Sequence, residues 1–448
     1  MTGQTPSAAY DVVVIGAGFA GATAARECAI RGLRTLVLEG RDRVGGRIWT
    51  SQLSDGETID LGGTFVHWSQ PHTWTEIMRY DLTGDVVDAN AAPADWVLSA
   101  HGDGLEWTTA EAHAEREKAL LERFFEDSWR VFPRPYDPLF AADAVAEVDQ
   151  LTVRDRIDQL DLAPDDAAHL SALLSTLSGE VAEKGSYSAL LRWWALVGHG
   201  YDALWLALAS YKLKHGMTSL LDAILADGGA EVRLAAPVKG ITSSDTGVEV
   251  TLATGEVVSA GAAVVATPAG VWPYLEFSPA LSPGRLDAAR AGLQSPRGSK
   301  GVAVLKGETR RIYVNSRPGD PLALLWTSHH RSQDEQVALF YCSSAMHDPD
   351  DPEEVGAAIR ALLPNVEVLE VHSGSWGADD EFTRGGWPIL WPGQLSRLAP
   401  HRTLSKPEGR IAFASGEIAS FWSSFIDGAI ESGIRAGRDV RKILGLTS

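Results

Sequence analysis

A glycine turn near the start of the chain limits the fold more than any other feature. Gly16, Gly18 and Gly21 follow the apolar run Tyr10–Ile15 and precede a helical stretch, after which a second apolar run ends in Glu39. In such a unit the first glycine makes the turn, the second admits a pyrophosphate, and the third lets helix and strand pack closely. The helix N-terminus attracts phosphates, and the acidic residue binds ribose hydroxyls. The pattern predicts a parallel sheet, buried on both faces, that binds a dinucleotide.

The loop after Glu39 indicates which dinucleotide is bound. It carries Arg41, Arg43 and Arg47 around paired glycines. An arginine-rich, bent loop at this point suits an anionic ligand that continues past the first phosphates, because arginine can pair with phosphate bidentately. A structural loop with surface arginines is the alternative. Farther on, two glycines at 62 and 63 leave room for backbone to approach a flat ring, so the loop favours FAD.

Length and charge exclude several classes of protein. A chain of 448 residues exceeds one ordinary core, so two or more domains are expected. The formal net charge of −20 disfavours nucleic acid and anionic membranes as partners. No signal segment or bilayer-spanning apolar run is evident, and a cytoplasmic protein is predicted. Two cysteines, Cys28 and Cys342, exclude a disulfide framework and lack a metal-ligand spacing.

The order of predicted elements favours interleaved domains. After the initial β-α-β unit, residues 111–226 are mostly helical in pattern, with Thr152 as a candidate N-cap. Strands return over about 231–267, and residues 300–384 mix strands with a helix near 352–362. A last strand at 410–414 leads to a helix over about 428–444. No fixed-period repeat and no low-complexity linker separates these parts.

Taken together, these motifs resemble those of the flavin-containing amine oxidases, which include monoamine, polyamine, and bacterial amine and nicotine oxidases. The matching stretches include "VVVIGAGFAGATAA", "IDLGGTFVHW", "SKGVAVL" and "FASGEIASFWSSFIDGAIESGIRAG", whereas residues 86–215 match poorly. The resemblance implies an α/β, two-domain FAD-dependent amine oxidase fold. A Rossmann-like FAD-binding domain (1–85, 226–299 and 385–448) would be interleaved with a substrate domain of mixed sheet plus helices (86–225 and 300–384). A homodimer is left open.

The resemblance also implies the residues that bind FAD. The ADP half would contact the glycine turn, Glu39 and nearby arginines, Val238 would meet the adenine, and Trp422 would pack by the flavin. Gly416 and Glu417 would lie near the pyrophosphate and ribityl chain. The full set is Gly16, Gly18, Phe19, Ala20, Gly21, Glu39, Gly40, Arg41, Gly46, Arg47, Gly62, Gly63, Thr64, Phe65, Val238, Thr267, Gly416, Glu417 and Trp422.

The implied reaction is FAD-dependent oxidation of a small amine. Hydride moves from the α carbon to flavin N5, water hydrolyses the imine, and oxygen is reduced to hydrogen peroxide. Because the amine must first lose its proton, activity should rise with pH. Lys300 resembles the family lysine that holds a water at flavin N5, although a lysine beginning an apolar strand can also be a snorkelling edge residue.

Alternatives to this reaction remain open. They are a non-catalytic binding protein of the same fold, and a flavin oxidase or desaturase of an amino acid or other ring substrate. An amino acid would require an arginine such as Arg192 or Arg384 for its carboxylate. No metal is expected, because the spacing of His67 and His72 suits no helix face and a structural or pocket role is favoured.

The stretch "RGGWPILWPG" over residues 384–393 distinguishes this chain from the monoamine oxidases. Their matching loop carries a cysteine bonded to the flavin, whereas this loop contains no sulfur, so non-covalent FAD is predicted. Trp387 is predicted to form one wall of an aromatic cage, with Trp391 as the fallback, and Phe425 the opposite wall. The predicted catalytic set is thus Lys300, Trp387 and Phe425. The alternative is that both tryptophans fill the core at a domain junction.

Overall fold

The glycine turn lies where the sequence predicts it, at the end of a buried parallel strand. We describe it from a computed structural model that covers residues 10–89, 94–101, 104–377, 380–398 and 404–446. The strands are β1 Tyr10–Ile15, β2 Thr35–Leu38, β3 Thr50–Gln52, β4 Thr58–Asp60, β5 Val86–Asp88, β6 Trp96–His101, β7 Gly104–Thr109, β8 Tyr211–Leu213, β9 Glu231–Arg233, β10 Val238–Ser243, β11 Val248–Leu252, β12 Val257–Val265, β13 Glu276–Ser278, β14 Arg297–Lys306, β15 Ile312–Asn315, β16 Leu322–His330, β17 Glu335–Cys342, β18 Glu367–Gly377 and β19 Ile411–Phe413.

The α-helices mostly occupy the middle of the chain. They are α1 Phe19–Ala29, α2 Pro71–Arg79, α3 Ala110–Phe124, α4 Ser128–Val131, α5 Ala142–Val148, α6 Val153–Gln159, α7 Pro164–Ser178, α8 Tyr187–Leu196, α9 Tyr201–Ala209, α10 Met217–Gly228, α11 Pro283–Ala291, α12 Pro352–Leu362, α13 Gln394–Leu398 and α14 Ile426–Ile443. Across the ranges described above, none of them is long and apolar enough to cross a bilayer.

The first sheet has eight strands and contains the β-α-β unit. Its order is β13-β10-β11-β12-β1-β2-β9, and β19 pairs with β12. Strand β1 is parallel to both β12 and β2, and its last four residues are buried. Helices α1 and α14 cover this region with small residues such as Ala24 and Ala436, which allows the helices to approach closely. The glycine turn therefore sits at the carboxyl edge of a parallel sheet, where α/β proteins bind ligands.

The second sheet has seven strands in the order β18-β14-β17-β16-β15-β6-β7. All neighbours are antiparallel except β15 and β6. Strand β14 lies between β17 and β18, and its eight inner residues are buried. This position explains why the inner residues of the strand that carries Lys300 are all buried: the strand has neighbours on both edges and packing on both faces.

A layer of helices packs beside the second sheet. Helices α3 to α9 supply most of one apolar cluster, which includes Phe124, Tyr187 and Trp194. Thr152 begins α6 through a reciprocal capping box with Asp155, as the candidate N-cap predicted. Chain segments from distant parts of the sequence form each sheet, but the residue bounds of the two domains remain a prediction.

Candidate active site

A cavity of about 700 Å³ is lined by both sheets and by the helical layer. Most residues predicted to bind FAD or substrate lie on its wall: Gly16, Gly18, Phe19, Ala20, Glu39, Gly40, Arg41, Gly46, Arg47, Gly62, Gly63, Thr64, Phe65, Val238, Thr267, Lys300, Trp387, Gly416 and Phe425. Three others, Gly21, Glu417 and Trp422, lie behind the wall. A single cavity thus brings together residues as far apart in sequence as Gly16 and Phe425.

The glycine turn forms a backbone cradle at this cavity. Gly16 has a φ of +102°, which other residues rarely adopt, and a Cβ at Gly21 would lie 1.9 Å from the carbonyl oxygen of Gly16. Gly18 precedes α1, and no described side chain caps that helix, so its first N–H groups remain for a ligand or water. This arrangement suits a pyrophosphate at a helix N-terminus.

The carboxylate of Glu39 is held in a fixed orientation next to this cradle. It accepts hydrogen bonds from the backbone N–H groups of Ala17, at 2.8 Å, and Arg41, at 2.9 Å. On the same cavity wall, the hydroxyl of Thr267 is buried and has no hydrogen-bond partner within the described part of the chain. A buried hydroxyl without a partner is costly, so this one suits a bound ligand. The cradle, the fixed acid and the hydroxyl fit a dinucleotide such as FAD.

Arg47, on the cavity wall, joins the N-terminal part of the chain to its C-terminal part. Its Nη1 donates to the carbonyl oxygen of Gly386 at 3.0 Å and to Oε1 of Glu417 at 2.8 Å. Glu417 is 7% exposed, so this ion pair is shielded from water on the acidic side. Glu417 lies behind the wall and is linked to the cavity through this contact, which holds Arg47 and, through it, the loop that carries Trp387.

Lys300 places a buried ammonium in the middle of β14. Its Nζ donates to the carbonyl oxygen of Gly62 at 2.9 Å and to the hydroxyl of Thr64. Burial lowers the pKa of Lys300 to about 8, although the nearby carboxylate of Asp60 favours the charged form. The ring centroid of Phe65 is 5.4 Å from Nζ. The ammonium is therefore a group that can change protonation state close to neutral pH.

Aromatic side chains surround this part of the cavity. Trp387 lies on the wall, edge-on to Tyr341, with ring centroids 6.1 Å apart. Phe425 packs edge-on against Trp193 at 5.1 Å and against Trp422 at 5.0 Å. The buried Trp422 donates its indole N–H to the carbonyl oxygen of Ser69. Trp422 thus supports Phe425 from behind.

The two tryptophans of the "RGGWPILWPG" stretch have different surroundings. Trp387 lines the cavity, and its indole N–H is buried without a hydrogen-bond partner in the described ranges. Trp391 is absent from the cavity wall and packs against the helical core. Of the two, Trp387 lines the cavity, whereas Trp391 is half-buried against the helical core and lies off the cavity wall.

Other residues on the wall were not identified from sequence. Tyr341 pairs directly with Lys300 across β14 and β17, and Trp326 stacks on Tyr341 with ring centroids 5.8 Å apart. His113 and Tyr313 lie elsewhere on the wall. Strand register would have identified Tyr341, but it could not be read from isolated apolar runs.

The arginines considered for an amino-acid substrate have other contacts. Arg192 is buried and donates to the backbone carbonyl oxygens of Pro135, Ser420 and Phe421, at 2.8, 2.5 and 3.2 Å. Its guanidinium therefore braces the segment before Phe425 instead of meeting a substrate carboxylate. Arg384 is on the cavity wall, and its guanidinium lies 4.1 Å from the ring centroid of Tyr274.

His67 and His72 each have a ring nitrogen close to another protein side chain. Nδ1 of His67 lies 2.7 Å from the hydroxyl of Ser69, and Nδ1 of His72 lies 3.0 Å from the carboxylate of Asp427. Neither belongs to a group of three potential ligands in the residues described above.

Comparisons with known proteins agree with this geometry. The family model described as flavin containing amine oxidoreductase matches residues 19–441. The chain is 37% identical over 439 residues to nicotine dehydrogenase of Pseudomonas putida, covering 97% of this chain and 89% of that one. It is 36% identical over 438 residues to pseudooxynicotine dehydrogenase of a Pseudomonas species, covering 97% and 87%. Both relatives are named as enzymes, which gives the non-catalytic alternative no support.

A solved structure shows the same fold. Putrescine oxidase bound to putrescine superposes with a TM-score of 0.80 at 18% identity, covering 97% of this chain and 99% of that one. At this identity the likeness concerns the fold alone. It agrees with the predicted α/β fold.

Proposed function

Because the chain belongs to the flavin-containing amine oxidoreductases and therefore oxidises amines with FAD, we propose that the cavity holds FAD non-covalently and oxidises a small amine beside Lys300, Trp387 and Phe425. The observation that carries this proposal is the single cavity, which joins the glycine cradle of α1 to the ammonium of Lys300 and the indole of Trp387. A cofactor long enough to lie along that wall would present its ring to these side chains.

The residues of this chain would divide the work by position. The backbone of the glycine turn and the carboxylate of Glu39 would hold the ADP half, and Arg47 would keep the Gly386 loop in place. Bound FAD supplies two-electron chemistry by accepting hydride from the carbon next to nitrogen. Lys300, whose pKa is lowered to about 8 by burial, would hold a water molecule and exchange a proton near that carbon.

The aromatic walls favour an amine with an apolar or aromatic body. Trp387 and Phe425 offer ring faces and exclude water, and Tyr341 and Trp326 extend the same apolar surface. Two relatives are named for nicotine and pseudooxynicotine, both of which carry an aromatic ring and an amine. A cyclic or secondary amine attached to a ring is therefore the substrate class that we propose.

Oxygen is the electron acceptor in this proposal, with hydrogen peroxide as its product. The names of the two relatives above favour a second candidate, because both are called dehydrogenases rather than oxidases. An acceptor other than oxygen would leave the amine half of the reaction unchanged. The two candidates differ only in how the reduced enzyme returns to its oxidised form.

The test follows the flavin spectrum of the purified protein. We expect a yellow protein whose absorption bands bleach when a ring-substituted cyclic amine is added without oxygen. Oxygen is then admitted, and its reoxidation rate and peroxide yield are compared with those of an artificial dye acceptor. Fast return of the bands with peroxide supports the oxidase, and slow return rescued by dye supports the second candidate. A colourless protein that cannot be reconstituted with FAD contradicts the whole proposal.

Two glycine variants, one a test and the other its matched control, show whether FAD binding depends on the glycine turn. In Gly21→Ala the new Cβ would meet the carbonyl oxygen of Gly16 at 1.9 Å, so the turn must distort and FAD should be lost. In Gly84→Ala the new Cβ meets nothing within 4 Å, so FAD content should stay at the wild-type level. Equal FAD content in the two variants would remove the glycine turn from the proposal.

Attachment and location complete the proposal. Cys28 and Cys342 are free thiols, and neither lies on the cavity wall, which favours FAD held without a covalent bond to sulfur. Free thiols are also typical of a reducing compartment, so the cytoplasm remains the proposed location. The net charge of −20 supports a small-molecule partner rather than nucleic acid or an anionic membrane.

A further inference from the structure

A cluster of buried polar side chains forms another part of the cavity wall. In the strand order of the second sheet, this part lies three strands away from the strand that carries Lys300. This distal cluster consists of His113, Glu117, His169, Tyr201 and Tyr313, which come from α3, α7, α9 and β15. Oε2 of Glu117 lies 3.2 Å from Nε2 of His113 and 3.1 Å from Nε2 of His169. Tyr201 donates its hydroxyl to Oε1 at 3.0 Å. Three donors therefore converge on one carboxylate.

The carboxylate at the centre of the distal cluster is ionised although it is buried. Glu117 is 2% exposed, and burial alone would favour its neutral form. The hydrogen bonds from His113 and His169 outweigh that effect and lower the pKa of Glu117 to about 2. A carboxylate that already has three protein donors offers nothing to a substrate carboxylate, whereas a substrate nitrogen can still hydrogen-bond to the remaining hydroxyl of the cluster.

Tyr313 is the member of the cluster that lacks a partner. Its hydroxyl is buried on the cavity wall, and it makes no hydrogen bond to any described residue. Burial and the nearby Glu117 raise the pKa of Tyr313 well above its usual value, so the hydroxyl keeps its proton. Leaving such a buried group unsatisfied costs free energy, because the hydroxyl has lost its hydrogen bonds to water. A ligand atom that accepts or donates a hydrogen bond would remove this cost.

The distance from the Tyr313 hydroxyl to the end of the cavity where the amine would react, beside Lys300, follows from the strand order of the second sheet. Lys300 is on β14 and Tyr313 is on β15, with β17 and β16 between them. Three strand spacings of about 4.8 Å separate the two strands by about 14 Å. A compact amine with one nitrogen does not span this distance, whereas an elongated molecule with polar atoms at both ends does.

We propose that the distal cluster is a second recognition site of the cavity, at which Tyr313 binds a second basic nitrogen of the amine substrate. A neutral ring nitrogen would accept the hydroxyl hydrogen of Tyr313. A protonated nitrogen would instead donate to the Tyr313 oxygen, in the field of Glu117. Tyr313 is thus a specificity-determining residue rather than a catalytic one. This inference rests on the proposed amine oxidation and adds which amines are preferred.

The test compares two substrates that differ in one atom. The first is a cyclic amine joined by a flexible chain to a terminal pyridyl ring, long enough to place its two nitrogens about 14 Å apart. Its phenyl counterpart has the same shape but lacks the second nitrogen. For the wild-type holoenzyme we expect kcat/KM to be about ten-fold higher for the pyridyl compound, the equivalent of one hydrogen bond. The preference should be carried by KM and by equilibrium binding, measured from the shift of the flavin spectrum, whereas kcat stays similar.

Two tyrosine variants isolate the hydroxyl. Tyr313→Phe should remove the ten-fold preference by weakening the pyridyl compound alone, with little change for the phenyl compound. Tyr187→Phe serves as the control, because its hydroxyl is also buried but bonds to the carbonyl oxygen of Phe124, away from the cavity wall. The preference should persist in that variant. If Tyr313→Phe weakens both compounds equally, the residue is structural and the inference is wrong.

The outcomes also separate this inference from the proposed function. If neither of these amines nor the ring-substituted cyclic amine of the first test bleaches the flavin, the proposed function fails. If only the cyclic amine of the first test does so, or if the pyridyl and phenyl compounds are oxidised with equal kcat/KM, only the distal site fails. The ligand atoms of His113, Glu117 and His169 all lie within 4.8 Å of one another, so a metal ion is the competing occupant. Stoichiometric metal in the purified protein, lost in Glu117→Gln, would overturn the recognition site.

Discussion

Lys300 is unusual because its position is costly for a charged side chain. It is 5% exposed, in a strand whose inner residues are all buried, and its ammonium is satisfied by a backbone carbonyl and a hydroxyl rather than a directly bonded carboxylate. Burial lowers the pKa of Lys300 to about 8, so the charged and neutral forms both become accessible near physiological pH. A buried lysine with this pKa is better suited to accepting and donating protons than to stabilising the fold.

We predict that Lys300→Met slows flavin reduction or reoxidation by roughly 100-fold, the scale of a lost proton-handling group. Stopped-flow absorbance separates the two half-reactions. Lys306→Met is the matched control, because Lys306 ends the same strand with its side chain exposed. The control should keep wild-type rates in both half-reactions. Wild-type rates in Lys300→Met would remove the lysine from the mechanism.

The stability of wild type relative to Lys300→Met tests the protonation state of Lys300. The pKa is about 8 in the folded protein and 10.5 in the unfolded chain. Between these values the unfolded state binds more protons, so the contribution of Lys300 to the free energy of unfolding rises with pH. Thermal unfolding at several pH values should show wild type gaining on Lys300→Met from pH 8 to 10.5. A difference that stays constant over this window would contradict the lowered pKa.

The sequence identified residues that lie in continuous motifs and missed those that depend on strand register. The glycine turn, Glu39 and Lys300 could be predicted because each belongs to a motif whose residues lie close together in the sequence. Tyr341 and Tyr313 reach the cavity through the pairing of β14 to β17 and of β15 to β16, which single apolar runs do not reveal. The distal cluster was missed because it combines residues up to 200 positions apart.

At the scale of elements, the Trp387 loop behaves as an irregular strand. The backbone N–H of Ser295 donates to the carbonyl oxygen of Trp387 at 2.9 Å, and that of Gly386 donates to Ser295 at 2.8 Å. The N–H of Ile389 continues the pairing to Leu293 at 3.0 Å. Pro388 lies between Trp387 and Ile389 and has no N–H group. The pairing uses the N–H groups of the residues around it, so it continues although proline is excluded from a regular central strand.

We predict that Trp387 and Trp391 have separable functions within this loop. Trp387→Phe should lower kcat/KM for the amine roughly ten-fold, because it reshapes the wall of the cavity. Trp391→Phe should leave kcat/KM near wild type and lower the free energy of unfolding by about 1–3 kcal/mol, because Trp391 packs against the helical core and lies off the cavity wall. Steady-state kinetics and denaturant unfolding measure both effects. A larger loss of activity in Trp391→Phe would reverse the assignment.

Many of the longer elements could be predicted from sequence, and one group of exceptions shares a cause. The helix predicted near 352–362 matches α12, and the strand at the start of the chain matches β1. Strands β6, β7, β15 and β16 were not predicted. Short apolar runs do not distinguish strand from helix by periodicity, and β6 pairs with β15, more than 200 residues away. Long-range pairing, rather than local propensity, forms this half of the second sheet.

At the scale of the whole molecule, FAD would connect two sheets that share a cavity but belong to different cores. The first sheet contributes the glycine cradle and the second contributes Lys300, and each packs on its own apolar cluster. A ligand that binds only the folded state stabilises it by mass action, by about 2.7 kcal/mol at a concentration 100-fold above Kd. Reconstitution with FAD should therefore raise Tm markedly.

We predict that this FAD is released completely when the protein is denatured. The Trp387 loop contains no sulfur, and the thiols of Cys28 and Cys342 lie away from the cavity wall. Acid precipitation of the holoenzyme should leave a colourless pellet, with the flavin in the supernatant in a one-to-one ratio to protein. The same denatured sample, refolded with and without added FAD, should regain the higher Tm only with FAD. Yellow colour that stays in the washed pellet would show a covalent bond and contradict the prediction.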